Sequence, residues 1–221
     1  MPAAVAARPR DGRGYPALAI TPWVDGEPRF AATGTARAYL CAVERRCSIC
    51  GTVMPAGPVW RVVAAAEAEA IAAALAEGWP YVNRAATVEA PGHRTCMLYA
   101  AVVCPYLARP MARRGTDASL PGLTVTRGDR RGFDGAVVGF DEYEFRHVED
   151  AVLFRFTGLR EFLRHQDGSE HLAELRAAAA AEAGGEGQAG AGAEVAPAYL
   201  LTDERAAQDT FLEACERNQS R

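Results

Sequence analysis

R-R-C-S-I-C-G at residues 45–51 and P-G-H-R-T-C at residues 91–96 decide the reading of this chain. Two residues separate Cys47 from Cys50, and two separate His93 from Cys96. That gap lets both side chains of a pair reach one ion. A Cys3His set fills all four positions of a tetrahedral zinc site with protein ligands, which implies structural zinc rather than catalytic zinc. Gly51 directly after Cys50 suits a tight knuckle turn that needs positive φ. Pro91-Gly92 turns the chain into a predicted helix from about His93 to Val103, so His93 and Cys96 lie three apart on one face. The partial positive charge of a helix N-terminus favours a thiolate at Cys96. Knuckle, β-hairpin, then a helix carrying two ligands in its first turn is the treble-clef arrangement. Cys104 competes for the fourth position. It stands eight residues beyond Cys96, about 12 Å along a continuous helix, so it reads as a core thiol beside Pro105. Cys41 and Cys215 read as packing residues.

Outward from the ligands, Asp25-Gly26 between the apolar runs 17–24 and 28–33 predicts a hairpin. Thr35 caps a helix through about Arg46 that leads straight into the knuckle. Val59–Val63 reads as a strand and Tyr81–Val88 as its returning partner. Between them, Ala64–Glu77 reads as a helix ended by Gly78. Pro105 stops the next helix. Residues 112–122 read as a loop. Leu123–Thr126, Ala136–Phe140 and Val152–Phe156 read as strands. Thr157 or Gly158 opens a predicted helix through about His165, followed by helices at Ser169–Ala183 and Leu201–Arg217. The glycine-rich run 184–192 reads as a flexible linker.

The 221 residues suffice for one sizeable domain, and 49% of them are apolar. The net charge of −4 hides an asymmetry. Residues 1–116 hold thirteen arginines against eight acids, and the rest hold eleven against twenty. Every basic residue other than histidine is an arginine, and alanine is abundant. That bias fits a GC-rich genome and gives the arginines little functional weight. A run of about 20 apolar residues, which a membrane helix needs, is absent. Residues 65–77 carry Glu67, Glu69 and Glu77. M-P-A-A-V-A-A-R-P-R at residues 1–10 lacks the apolar core of a secretory signal. The expected location is the cytoplasm, where a C-x-x-C knuckle points to metal rather than disulfides.

Three functions compete. The leading one is an interaction or regulatory module built on one structural zinc, with an unknown protein partner. The second is an enzyme with a site between the zinc core and the acidic half, using His147, Glu144 and Asp150. Against it, D-E-Y-E-F-R-H-V-E-D at residues 141–150 reads as a solvated acidic loop. The third is nucleic-acid binding through Arg45, Arg46, Arg84, Arg94, Arg113 and Arg114, although a binder normally shows a denser basic stripe. His165 and His171 read as surface residues. No Walker or nucleophile-elbow motif occurs.

The stretch from about Gly14 to Leu107 resembles an uncharacterised zinc-binding family of high-GC Gram-positive bacteria and their phages. The matching features are G-Y-P at 14–16, W-V-D-G at 23–26, R-R-C-S-I-C-G at 45–51, N-R at 83–84, P-G-H-R-T-C at 91–96 and C-P-Y-L at 104–107. V-L-F-R-F at 152–156 matches more loosely. The resemblance implies a treble-clef-like zinc core and no particular activity. The insert at 64–78 departs from the shorter hairpin of that family.

The expected fold is α+β: a treble-clef-like zinc core with a small mixed sheet, flanking helices and a flexible C-terminal extension. Its parts are a flexible N-terminus at 1–14, the zinc-binding part at 15–116, an α+β part packed on it at 117–183, a linker at 184–200 and a C-terminal helix at 201–217. Removing everything beyond about residue 183 is expected to change little.

Overall fold

A computed structural model describes residues 1–81, 86–109, 112–113, 118–120, 123–125, 134–184 and 195–219. After a single helical turn, α1 (Ala3–Ala6), Asp25 and Gly26 take φ of 53° and 78° and close the expected hairpin. Its strands are only two residues each, β1 (Trp23–Val24) and β2 (Glu27–Pro28). Helix α2 (Thr35–Val43) follows, with Gly34 rather than Thr35 at its N-cap. The Thr35 hydroxyl donates instead to the carbonyl of Asp150. Residues 36–42 of α2 are all buried, so α2 is a central helix covered on every side.

Strand β3 (Val59–Ala64) runs directly into α3 (Ala65–Ala76). Then come α4 (Arg94–Val103), the short α5 (Pro105–Ala108), β4 (Ala118–Leu120) and β5 (Leu123–Val125). A long hairpin, β6 (Gly135–Val148) and β7 (Ala151–His165), leads into α6 (His171–Gly184). The chain ends in a 3-10 turn at Ala198–Leu200 and α7 (Glu204–Gln219). The class is α+β as expected. Among the described residues every strand pairing is antiparallel, in the sheet β3-β6-β7 and in the pairs β1-β2 and β4-β5, which corrects the expected mixed sheet. Among the described residues no helix is long and apolar enough to cross a membrane.

Two further expectations are corrected in the sheet. Strand β3 pairs with β6, Val59 opposite Phe140 and Ala64 opposite Gly135, and among the described residues of 81–88 none pairs with it. Of that segment, residues 82–85 lie outside the described residues, and Thr87 bridges Phe154 of β7. Val59, Val62 and Val63 are buried, as are Ala136, Val137, Val138 and Phe140 on β6. Two valine-rich runs therefore cover each other, and burial outweighs sequence proximity. The second correction concerns 141–148 and 157–165, which are strand rather than loop and helix. An extra residue, Arg160, shifts the register between Gly139 and Phe140. Gly158 beside it takes φ +70°, where a Cβ would strike the Asp141 carboxylate. The bulge lets β7 continue to His165.

One core runs from Val5 through α2, β3, α3, α4, β6, β7 and α6 to Ala214 on α7. The C-terminal helix is thus part of the core, a correction to the flexible extension. Leu200, Ala207, Phe211 and Ala214 are buried, and the Phe211 ring meets Tyr39 of α2 edge-on at 5.1 Å between centroids. The glycine-rich linker lies outside the described residues at 185–194; Ala196 beyond it is buried.

His165 and His171 are also buried rather than at the surface, 1% and 2% exposed. Gly168, at φ +76°, turns α6 back so tightly that a Cβ there would stand 2.3 Å from the Ala101 carbonyl oxygen of α4. His165 Nδ1 and His171 Nε2 then share a hydrogen bond of 2.7 Å, which requires one proton between them. Burial first, and the neighbouring His165 second, pull the His171 pKa from 6.5 down to about 4; Glu170 and Glu174 oppose this and Arg94 adds to it. The folded state thus holds His171 neutral where the unfolded chain would protonate it. Stability from this group is full above pH 6.5 and is lost as the pH falls towards 4. Urea unfolding at pH 7, 6, 5 and 4 should show that decline, and His171→Gln should flatten it. Equal slopes in both proteins would contradict this reading.

Candidate metal centre

The knuckle is built by backbone constraints on either side of Cys47. Arg45 takes φ 51° at the end of α2, and Arg46 bridges Val53 antiparallel. Cys47 N–H donates to the Thr52 carbonyl at 2.9 Å, and Gly51 N–H donates back to the Cys47 carbonyl at 2.8 Å. Gly51 sits at φ +81°, which closes the turn without strain. The second ligand pair is brought alongside by the antiparallel bridge of Gly92 to Trp60 of β3 and by Ser48 N–H donating to the Pro91 carbonyl at 3.0 Å. Gly92 is needed for this approach. A Cβ there would lie 2.4 Å from Met97 Cε and 3.0 Å from Cys47 Sγ.

His93 is the N-cap of α4 and Cys96 lies in its first turn. The His93 backbone N–H points at Cys47 Sγ, 3.4 Å away. His93 Nε2 is 3.1 Å from the Val53 carbonyl oxygen, so Nε2 carries the proton and donates. Nδ1 is the nitrogen turned towards the cluster, 3.5 Å from Cys50 Sγ. A ligating histidine whose other nitrogen donates to a carbonyl has its tautomer and ring plane fixed in advance.

Cys47, Cys50, His93 and Cys96 offer ligand atoms that all lie within 4.8 Å of one another. Bond lengths of about 2.3 Å to sulfur imply tetrahedron edges of about 3.8 Å, so a small contraction closes the set around one ion. The three cysteines are buried and His93 half-buried. The electrostatics already ask for a cation. Hydrogen bonds from Cys47 and then Cys96 pull the Cys50 thiol far below its usual range, and hydrogen bonds to Cys47 and then Cys50 push Cys96 far up. Burial lowers the His93 pKa, but hydrogen bonds to Cys47 and Cys50 outweigh it and lift the value to about 11. Protons crowded into such a cluster are what a divalent ion displaces. A soft, buried, preorganised sulfur-and-imidazole set fits a metal ion.

No family model matches the chain, and neither a curated protein nor a solved structure matches it.

The other expected residues are placed elsewhere. Cys104 lies at the C-terminal end of α4, outside the cluster. Cys41 is buried on α2, its thiol pushed up by burial. His147 is on β6 and stacks edge-on against Tyr39 at 5.7 Å and Phe211 at 5.3 Å. Glu144 faces Arg155 across the β6-β7 ladder, and Asp150 offers its carbonyl to Thr35. These three do not converge. Of the arginines, Arg45 pairs with Glu142 at 2.5 Å, Arg46 with Glu44 at 2.6 Å, and Arg94 with Glu161 at 2.8 Å and Glu174 at 3.1 Å. Arg84 and Arg114 lie outside the described residues. Sequence reasoning missed the Val53 carbonyl and the Thr52 hydroxyl, 3.1 Å from Cys50 Sγ. Carbonyls carry no sequence signal, and a threonine after a knuckle glycine is a weak one.

Proposed function

We propose that this chain is a zinc protein with one structural Cys3His site, a treble-clef-like knuckle and ligand helix, serving as an interaction or regulatory module. The observation that carries it is the convergence of four ligand atoms within 4.8 Å, with the His93 tautomer set by Val53. Four protein ligands saturate a tetrahedral ion and leave no position for water or substrate. The resemblance to the zinc-binding family at the knuckle and at 91–96 supports the same reading. A departure from the treble-clef pattern is that β3 makes its ladder with β6, although Gly92 still bridges Trp60.

Cobalt titration of metal-free protein tests this reading. The expected result is one equivalent bound, the visible spectrum of a tetrahedral thiolate site, and bleaching of that spectrum by zinc. Colourless binding or several weak equivalents would remove the proposal. The choice of fourth ligand is tested separately. His93→Ala should weaken zinc by more than the roughly 10–100-fold that loss of an outer partner costs, and Cys104→Ala should leave affinity unchanged. The reverse order would assign the position to Cys104.

A further inference from the structure

Three arginines are almost completely buried: Arg8 at 4% exposed, Arg37 at 0% and Arg61 at 1%. Two of them have carboxylates. Arg37 binds Glu204 at 2.7 Å, and Arg61 pairs with Glu67. Arg8 is held by carbonyls alone: Ala17 at 2.9 Å, Leu18 at 3.3 Å and Leu200 at 2.7 Å. Its Nη1 is buried with no hydrogen-bond partner. A buried cation that meets only neutral dipoles is costly unless a compensating charge stands close by. Burial accordingly lowers the Arg8 pKa to about 10, and the groups that oppose this by their charge are Cys41, Cys50 and Cys47. Cys41 is kept a neutral thiol by its own burial. The remaining two are ligands of the metal centre.

The contact surface agrees. A Cβ placed on Gly51, the residue after Cys50, would stand 3.5 Å from Arg8 Nη1 and 2.9 Å from the Ala196 Cβ. Arg8 also lines, with Cys50, His93 and Cys96, a cavity of about 510 Å³. A divalent ion held by three thiolates and a neutral imidazole leaves the centre with one net negative charge. We propose that Arg8 is the fixed counter-charge of that centre. The inference rests on the zinc reading above. It gives the donor set a reason: two thiolates would leave Arg8 uncompensated, and four would leave one negative charge in excess. It also makes the centre a joint anchor, because the same guanidinium ties down residues 17–18 and the C-terminal segment at Leu200.

The test is zinc affinity by chelator competition on the full chain. Unmodified protein is measured first; its failure to bind one equivalent removes the zinc reading itself, whatever the Arg8 variants do. Arg8→Lys keeps the charge, Arg8→Gln keeps polarity without charge, and Arg8→Met keeps length alone. The expected result is a loss of about 10–100-fold for Arg8→Gln and Arg8→Met, with Arg8→Lys several-fold better than either. Combined with Cys96→His, which makes the centre neutral, Arg8→Gln should cost little further. Arg8→Gln equal to Arg8→Lys, or the same penalty in both backgrounds, would show that Arg8 only packs and would overturn the assignment. Should Arg8→Met not fold, the Lys and Gln pair still decides.

Discussion

Metal-free protein, and protein carrying Cys47→Ser or Cys96→Ser, is expected to lose its cooperative melting transition. Structural zinc supplies on the order of 10 kcal/mol in small zinc domains, against a total stability of about 5–15 kcal/mol for a typical domain. The position of the site makes the loss global. Cys47 is 0% and Cys96 3% exposed, and both belong to the same core as Leu40, Phe140 and Phe154. The knuckle ends α2, and the second ligand pair begins α4, which packs on β3, β6 and α6. Without the ion, buried sulfurs and a raised-pKa imidazole face one another with protons shared between them. Calorimetry with and without a strong chelator, alongside elemental analysis for one zinc per chain, measures this. An unchanged transition after chelation would sink the structural role.

The site is legible in the sequence because its geometry is local. Two-residue gaps, Gly51 and the Pro91-Gly92 turn are backbone requirements that sit beside the ligands in the chain. The sheet is not legible, because the partner of β3 begins at Gly135, where two apolar strands meet. Local patterns favour the nearer segment 81–88. Strand β7 misleads for a definable reason. The extra residue Arg160 breaks the two-residue alternation, so Leu159, Phe162 and Leu163, all packed on the core, fall at the i, i+3, i+4 spacing of a helix. Thr157-Gly158 before them imitates a helix cap. The buried histidine pair escapes a sequence reading because the two rings share a hydrogen bond, a relation that the tight turn at Gly168 creates. Composition gives the arginines little weight, yet three of them are core residues.

Removal of residues 184–221 is expected to lower the melting temperature by about 10 °C or more, the opposite of what the glycine-rich linker suggests. The linker bears only on how the tail is tethered. The tail is fixed by its own apolar stripe, with Leu200 and Ala207 0% exposed and Phe211 9%. Phe211 fills a space between Tyr39 and His147, and losing a buried phenylalanine side chain typically costs about 3–5 kcal/mol. Truncation also strips Arg37 of Glu204 and of the Leu201 carbonyl, which leaves a fully buried guanidinium without its carboxylate, worth about 3–5 kcal/mol when one partner of such a pair is removed. Arg8 loses the Leu200 carbonyl at the same time. Each kcal/mol moves the melting point of a chain this size by about 2–4 °C, so either loss alone is visible. Phe211→Ala separates packing from charge, and Glu204→Gln does the converse. A truncated protein melting within about 2 °C of the full chain would show that α7 contributes nothing to the core. An intermediate fall matched by Phe211→Ala alone would place the whole contribution in the Phe211 contact and none in the Arg37 pair.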